Sequence, residues 1–343
     1  MTKNILIAPL AALLAPLLAV SPLTAINAQE PPKQQFPSPN AIVDAAPASD
    51  WKTVAARDLL VMDLIPDAKG EPRRVIIQLM PPPFSQGWIG NIRKLAAAKF
   101  WDGTSINRVQ DNYVVQWGDA GYDNPESGET EQKALPEGLV EVPESEYQVT
   151  DPSQGPINKA MMAATNSVFV AQGDAPEPNF LFDDYADIAF FDQGWPIAQE
   201  FDSQWPIHCY GAVGVGRNLS PDTGTGAELY TVIGHAPRHL DRNIAVVGRI
   251  IEGIEHFSSL PRGKGQLGFY ADPKKRVPIR SIRLGTALPD AEQPRFEYLD
   301  TESEAFARYA DARANRRDPF FVKPAGGADI CNIPVPVRRM KTE

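Results

Sequence analysis

The chain has 343 residues, a formal net charge of -10 at pH 7 and a sequence pI of about 5.0. This length allows one domain with extensions or two small domains. The acidity argues against a nucleic-acid partner, because such proteins need a basic stripe to meet the phosphates. The 33 prolines predict many turns and extended connections rather than long helices.

The N-terminus has the pattern of a targeting segment. Lys3 precedes an apolar run over residues 5–25, and Ala28 offers a small residue for cleavage. Three prolines interrupt the run, which disfavours a stable spanning helix. We therefore expect residues 1–28 to be a cleaved signal peptide, with an uncleaved anchor as the alternative. No later segment is long and apolar enough to span a bilayer, so the mature protein is expected to be exported, to the periplasm or the medium.

The next elements are a linker, a hairpin and a helix. Residues 29–50 are rich in Pro, Ala, Ser and Gln, which predicts a flexible linker. Apolar runs at residues 59–65 and 74–80 flank a turn that contains Gly70, and they predict an antiparallel hairpin. Apolar residues then recur at helical spacing within residues 84–100, which predicts an amphipathic helix.

Two short strands with a tight turn are predicted within residues 101–119, WDGTSINRVQDNYVVQWGD. Residues 105–110 alternate with the period of two that is typical of a strand, and residues 113–117 are β-branched or aromatic except for Gln116. Arg108 lies on the first strand and Gln116 on the second. Taken alone, each is most simply read as an ordinary surface residue of a half-buried strand.

Residues 120–208 show no sustained periodicity and predict an elaborated loop region, with a short helix around residues 158–164. A structureless loop of this length is uncommon, so the region is expected to pack on the domain.

Regular elements resume after this region. Strands at residues 211–217, 226–233 and 277–284 and a short helix at residues 254–260 are implied by the family resemblance described below. Past Leu288, Thr301 and Glu304 form a capping-box pattern, which predicts an added C-terminal helix that begins at Thr301.

Cys209 and Cys331 are the two cysteines of the chain. In an oxidising compartment such a pair favours a disulfide, which would attach the C-terminal tail near Gly211. Two buried free thiols are the alternative, and the residues do not choose between them. The spacing does not fit a zinc site.

Several of these stretches resemble one family, the cyclophilins. Residues 102–119 resemble the family pattern DGT-x-FHRV-x-x-x-FMIQGGD without a gap. Residues 226–233 (GAELYTVI) resemble SQFFI, and residues 240–254 (LDRNIAVVGRIIEGI) resemble LDGKHVVFGKVVEGM in register. The motifs follow the family's order over two blocks of the chain.

The resemblance implies a mainly β fold, a closed antiparallel eight-stranded barrel capped by two helices. It places this barrel domain at residues 51–287, with residues 120–208 as a long insertion. Residues 288–343 would be a C-terminal extension that contains one helix.

The resemblance also implies a site for peptidyl-prolyl cis-trans isomerisation, with Arg108 and Gln116 as its catalytic residues. The substrate-binding residues implied by the matched motifs are Tyr113, Val114, Glu228, Leu229, Tyr230, His239 and Ile244. Several of them depart from the family pattern: Glu228 stands for a Gln, Leu229 and Tyr230 for two Phe, His239 for a Trp and Ile244 for a His. The wall and floor of the pocket are therefore expected to be rebuilt around an unchanged Arg and Gln.

The resulting hypothesis is an exported isomerase that acts on X-Pro bonds of proline-containing polypeptides. It needs no cofactor and no metal, and the expected state is a monomer. A non-catalytic cyclophilin-like module that binds a peptide or a protein partner is the alternative.

Overall fold

The computed structural model describes residues 36–122, 124–150 and 183–340. Their helices are α1 (Pro39–Asp44), α2 (Gln86–Ala97), α3 (Glu255–Ser258) and α4 (Glu304–Ala314). Their strands are β1 (Trp51–Val54), β2 (Leu59–Leu64), β3 (Arg73–Leu79), β4 (Ser105–Val109), β5 (Val114–Gly118), β6 (Val149–Thr150), β7 (Ile188–Asp192), β8 (Trp195–Glu200), β9 (Ser203–Pro206), β10 (Ala212–Val215), β11 (Glu228–Val232), β12 (Val246–Glu252), β13 (Val277–Leu284), β14 (Phe296–Leu299) and β15 (Val337–Arg339).

Eight strands close into a barrel in the order β10-β11-β5-β4-β13-β2-β3-β12, and every neighbouring pair is antiparallel. This confirms the predicted fold class. Closure leaves no free sheet edge among these strands. The barrel interior is filled by side chains that alternate along the strands, including the fully buried Leu60, Met62 and Trp117.

Helix α2 lies within the predicted residues 84–100. Its buried residues include Trp88, Ile92 and Leu95, which recur at helical spacing and pack into the barrel core. The second predicted helix, at residues 254–260, is the single turn α3, with Phe257 fully buried.

A second core lies outside the barrel and is built from both ends of the described chain. Strand β14 pairs with β1 on one side and with β15 on the other. Strands β6, β9, β8 and β7 form a separate four-stranded sheet. Ile42 of α1, Phe191 of β7 and Phe306 of α4 belong to one buried cluster. The N-terminal and C-terminal segments therefore share one apolar interior.

This second core corrects two predictions. The linker predicted over residues 29–50 is wrong for residues 39–44, which form α1, because Ile42 is buried and Ser38 caps the helix. The extension at residues 288–343 contains the predicted helix but also two strands, and β14 joins β1 in one sheet.

The predicted insertion also contains more regular structure than expected. Its last part, residues 188–206, is the meander β7-β8-β9, in which each strand pairs with the next. The short helix predicted around residues 158–164 lies outside the described residues. The same holds for the predicted signal peptide, residues 1–28.

The start of α4 corrects the predicted capping box. The N-cap is Ser303, whose Oγ accepts a hydrogen bond from the Phe306 N–H at 3.1 Å. Thr301 is buried instead, and its hydroxyl accepts a hydrogen bond from the Gly194 N–H at 3.2 Å. Thr301 thus connects the C-terminal segment to the turn between β7 and β8.

Within the described ranges, which begin at residue 36, no helix has both the length and the apolarity needed to cross a membrane.

Cys209 and Cys331 form a disulfide across a sequence separation of 122 residues. The bond connects the segment just before β10 to the C-terminal segment, and both sulfurs lie at the edge of the second core. The structure thus decides between the two alternatives that the sequence left open.

Replacing both cysteines by serine is expected to lower the free energy of unfolding by about 2–5 kcal/mol, because a cross-link over a long loop restricts the unfolded chain. Urea unfolding of the Cys209→Ser, Cys331→Ser variant measures this loss. A reductant should produce a similar shift in the wild type and none in the variant. Equal urea midpoints for the oxidised wild type and the variant would contradict the expectation.

Candidate active site

The two predicted catalytic residues lie opposite each other on neighbouring strands. Arg108 of β4 pairs with Gln116 of β5, and a register shift between Ile106 and Arg108 makes the strand irregular at this point. A bulge re-aims the side chains beside it. Asn107, the extra residue, is fully buried, whereas Arg108 is partly exposed at the barrel surface.

Three acceptors hold the Arg108 guanidinium. Nε donates to the Leu267 carbonyl at 2.7 Å, Nη1 donates to Gln116 Oε1 at 2.9 Å, and Nη2 donates to Gln110 Oε1. The guanidinium also lies 5.9 Å from the Tyr113 ring centroid and 5.5 Å from that of Phe269. A guanidinium has five N–H donors, so these three bonds leave two for a substrate.

Gln116 is itself held in one orientation. Its side chain is buried, its Oε1 accepts from Arg108, and its Nε2 donates to Asn124 Oδ1 at 2.6 Å. Asn124 in turn donates from Nδ2 to the Tyr122 carbonyl at 2.7 Å. This chain of hydrogen bonds fixes the amide and, through it, the direction of the Arg108 donors.

Beside Arg108 and Gln116 lies a cavity of about 110 Å³ with a mainly apolar wall. Its other lining residues are Tyr113, Val114, Asn124, Gly216, Arg217, Tyr230, Leu240 and Ile244. Pockets for drug-sized ligands hold about 300–1,000 Å³. This cavity therefore suits one small side chain, such as a proline ring, rather than a cofactor.

Four of the seven predicted substrate-binding residues, Tyr113, Val114, Tyr230 and Ile244, line this cavity. His239 is exposed and lies beside it, because its ring stacks on Tyr113 with the centroids 6.2 Å apart.

The other two predicted residues do not line the cavity. Glu228 is fully buried, and its Oε1 accepts a hydrogen bond from Asn107 Nδ2 at 2.5 Å. Leu229 is buried in the barrel core, where it pairs across strands with Trp117. Both predictions of substrate contact are corrected: Glu228 supports the strand beneath Arg108, and Leu229 faces the interior.

Sequence reasoning missed several residues of the site. Asn124 and the Leu267 carbonyl hold Gln116 and Arg108, and Leu240, Gly216 and Arg217 complete the wall. Leu240 lies within the matched stretch at residues 240–254 and could have been found there. Leu267 and Asn124 come from loops, where no repeating pattern marks a contact.

A buried chain of polar groups starts at the cavity wall. The Tyr230 hydroxyl lies 2.7 Å from His208 Nε2, and His208 Nδ1 lies 2.8 Å from Asp241 Oδ1. A carboxylate only accepts, so Nδ1 carries a proton, and in the neutral imidazole the Tyr230 hydroxyl then donates to Nε2. Arg238 then bridges two carboxylates, from Nε to Asp241 at 2.6 Å and from Nη1 to Asp183 at 2.7 Å.

This network sets where Tyr230 lies. Its ring is stacked parallel to that of His208, and a Cβ at Gly214 would lie 2.3 Å from Tyr230 Cζ. The Tyr230 ring therefore needs a glycine at the facing position of β10. The cyclophilin pattern that this stretch resembles has a Phe where this chain has Tyr230, so Tyr230 adds a hydroxyl. That hydroxyl is directed away from the cavity and forms a hydrogen bond with His208.

The protonation states of the site's side chains follow from their burial and from their neighbouring charged and hydrogen-bonded groups. Burial lowers the pKa of the Arg108 guanidinium, which stays protonated at neutral pH because arginine titrates far above it. Burial raises the pKa of the Tyr230 hydroxyl well above its ordinary value, so it remains a donor. Burial also opposes ionisation of Asp241, but His208 and Arg238 outweigh it and the pKa of Asp241 lies below its ordinary value.

Comparisons with known proteins identify the same family that the sequence motifs resemble. The family model described as cyclophilin type peptidyl-prolyl cis-trans isomerase/CLD matches residues 88–167 and 157–284, together more than half of the chain. No curated protein matches the sequence.

Among solved structures, the cyclophilin AquaCyp293 from Hirschia baltica is similar at a TM-score of 0.58 and 20% identity, over 85% of this chain and 94% of that one. A cyclophilin-type isomerase of Cryptosporidium parvum, solved in the presence of the dipeptide Ala-Pro, aligns at a TM-score of 0.35 and 11% identity, over 65% and 98% of the two chains.

Proposed function

This chain belongs to the cyclophilin-type peptidyl-prolyl cis-trans isomerase family, and we propose that Arg108 carries its isomerase activity by donating a hydrogen bond to the prolyl nitrogen. The single observation that supports this role most strongly is the guanidinium itself, held by Gln116 at the edge of an apolar cavity with two N–H groups to spare.

The reaction needs no covalent step. Rotation about a peptide bond is opposed by amide resonance, with a barrier of about 18–20 kcal/mol. Uncatalysed X-Pro exchange takes tens to hundreds of seconds. A catalyst must bind the twisted amide more tightly than either planar form.

Arg108 can meet that requirement. In the twisted amide the nitrogen loses conjugation and becomes a hydrogen-bond acceptor, whereas in the planar amide it is not one. A positioned donor therefore acts mainly on the transition state, and it does so without transferring a proton. The proline ring would rest in the cavity against Tyr113, Val114 and Ile244. Gln116 is a positioning residue, because its Oε1 is occupied by Arg108.

We further propose that the clients are X-Pro bonds of exported polypeptides. The apolar run over residues 5–25 with a small residue at Ala28 supports export, and the disulfide suits an oxidising compartment. N-terminal sequencing of the extracytoplasmic protein should start at Gln29. A chain that keeps Met1 and stays in the cytoplasm would contradict export.

The isomerase proposal is tested with catalytic amounts of the protein and an Ala-Pro tetrapeptide, by NMR exchange spectroscopy. Exchange between the cis and trans signals should accelerate in proportion to protein concentration. Binding of the peptide, read from chemical-shift changes, without any acceleration would instead support the non-catalytic module.

A further inference from the structure

A second, larger cavity lies outside the barrel, between the outer face of β10 and β12 and the second core. Its volume is about 350 Å³, and it shares no lining residue with the cavity beside Arg108. Its walls include Phe191, Trp195, Ile207 and Ile330, together with the Cys209–Cys331 disulfide. The walls are thus mostly apolar, and the size is within the range of small-molecule pockets.

One wall of this cavity carries a charged group that has only neutral partners. Arg249 of β12 donates from Nε and Nη2 to Gln78 Oε1, at 3.0 and 2.9 Å, and from Nη1 to the Gly194 carbonyl at 2.6 Å. Its guanidinium lies 4.4 Å from the Trp195 ring centroid. Among the residues that the structure describes, no carboxylate lies within 4.0 Å of it.

Arg238 shows by comparison what Arg249 lacks. Arg238 is buried and two carboxylates face it, Asp183 and Asp241, whereas the partly buried Arg249 has only neutral partners among the described residues. A buried charge is costly unless a counter-charge or several hydrogen bonds compensate it. Burial lowers the pKa of Arg249 to about 10, which still leaves it protonated at neutral pH.

The cavity as a whole is positive in an acidic protein. Arg313 of α4 also lines it, with Nε and Nη2 donating to the Asn332 carbonyl at 2.9 and 2.6 Å. Among the described residues that line it, none is an Asp or a Glu, although the chain carries a net charge of -10. The positive charge of the cavity therefore favours an anionic ligand, and its apolar walls favour a ligand that also has a hydrocarbon part.

We propose that this cavity binds a small apolar carboxylate, of the class of a medium-chain fatty acid anion. The carboxylate accepts hydrogen bonds from the Arg249 N–H groups that its present partners leave free, and the hydrocarbon tail lies against the aromatic and aliphatic walls. Charge-assisted hydrogen bonds of this kind are about twice as strong as neutral ones.

Titration calorimetry with the purified, disulfide-bonded protein tests this. Octanoate, octanol and octyltrimethylammonium share a tail and differ in head group, and each is used below its micelle concentration. Octanoate is expected to bind about tenfold or more tightly than octanol, and the cation not at all. Equal affinity for octanoate and octanol, or no binding of octanoate, would overturn the proposal.

Arginine variants test whether Arg249 is the residue that binds the carboxylate. Arg249→Gln should abolish the preference for octanoate over octanol, and Arg313→Gln should reduce it. Arg308→Gln is the matched control on the exposed face of α4 and should leave it unchanged. A folded Arg249→Gln protein that keeps the wild-type preference overturns the assignment. If that variant does not fold, an Arg313→Gln protein with an undiminished preference overturns it instead.

Discussion

Replacing Arg108 by Ala is expected to lower kcat/KM for X-Pro exchange by about 100- to 1,000-fold, the usual loss when one preorganised transition-state donor is removed. The guanidinium is held by three acceptors before any substrate arrives, so its donors need no reorganisation during rotation. Peptide affinity should change much less, because the cavity walls remain. The loss should therefore appear mainly in kcat.

The controls for this prediction separate charge from geometry. Arg108→Lys keeps the positive charge but loses the planar fork, and should recover only a small part of the activity. Arg308→Ala removes an arginine from an exposed pair on α4 and should behave as wild type. An Arg108→Lys protein with full activity would show that charge alone is sufficient.

Replacing Asp241 by Ala is expected to lower the free energy of unfolding by about 3–5 kcal/mol, because it breaks a buried ion pair from one side. The side chains of Arg238 and Asp241 are 2% and 4% exposed. Without Asp241, Arg238 keeps one carboxylate partner, Asp183, and the buried His208 loses the acceptor of its Nδ1–H. Tyr230, which His208 holds at the cavity wall, loses its fixed partner.

Urea unfolding measures this effect, with Asp111→Ala as the matched control. Asp111 pairs with Arg262 at the surface, where its side chain is 77% exposed. A surface pair of this kind contributes about 0–1 kcal/mol. A loss at Asp241 no larger than that at Asp111 would contradict the role given to the network.

The same network predicts a pH dependence. The pKa of Asp241 is lowered in the folded protein, so its contribution is fully present above the unfolded value of about 3.9. The contribution is lost as the pH falls through the folded value. Asp241→Ala should therefore be less sensitive to acid below pH 4 than the wild type.

The barrel was predictable from sequence because its strands carry their own signals. Aromatic and β-branched residues in β5 and the hairpin of β2 and β3 predict the local structure that forms, and the alternation in β4 predicts a strand but not its bulge at Asn107. Arg108 and Gln116 could be placed on facing strands for the same reason. The family resemblance then gave the order of the strands and the role of the pair.

The second core was not predictable in this way, because its elements depend on contacts distant in sequence. Helix α1 has six residues, too few to be stable alone, and it forms where Ile42 is buried against the second core. At α4, Thr301 and Ser303 are both acceptable caps, and burial of Thr301 against Gly194 leaves Ser303 as the cap.

The candidate active site likewise contains side chains whose positions the local sequence pattern does not predict. Glu228 and Tyr230 alternate correctly on β11, yet Glu228 is fully buried, where its Oε1 accepts a hydrogen bond from Asn107 at the bulge of β4. The period of two along a strand predicts on which face of the sheet a side chain lies, but it does not predict how deeply that side chain is buried. Asn124 accepts a hydrogen bond from Gln116 and fixes the orientation of its amide. Asn124 lies in a loop, where no repeating sequence pattern marks the residues that make contacts.

The central claim is tested most directly by the exchange rate of a peptide that is already bound. NMR exchange measurements on an Ala-Pro tetrapeptide saturated with protein remove differences in affinity between wild type and Arg108→Ala. We expect rapid cis-trans interconversion on the wild type and interconversion on Arg108→Ala that is about 100-fold slower or more. Equal rates on the two proteins would contradict a catalytic role for the Arg108 guanidinium.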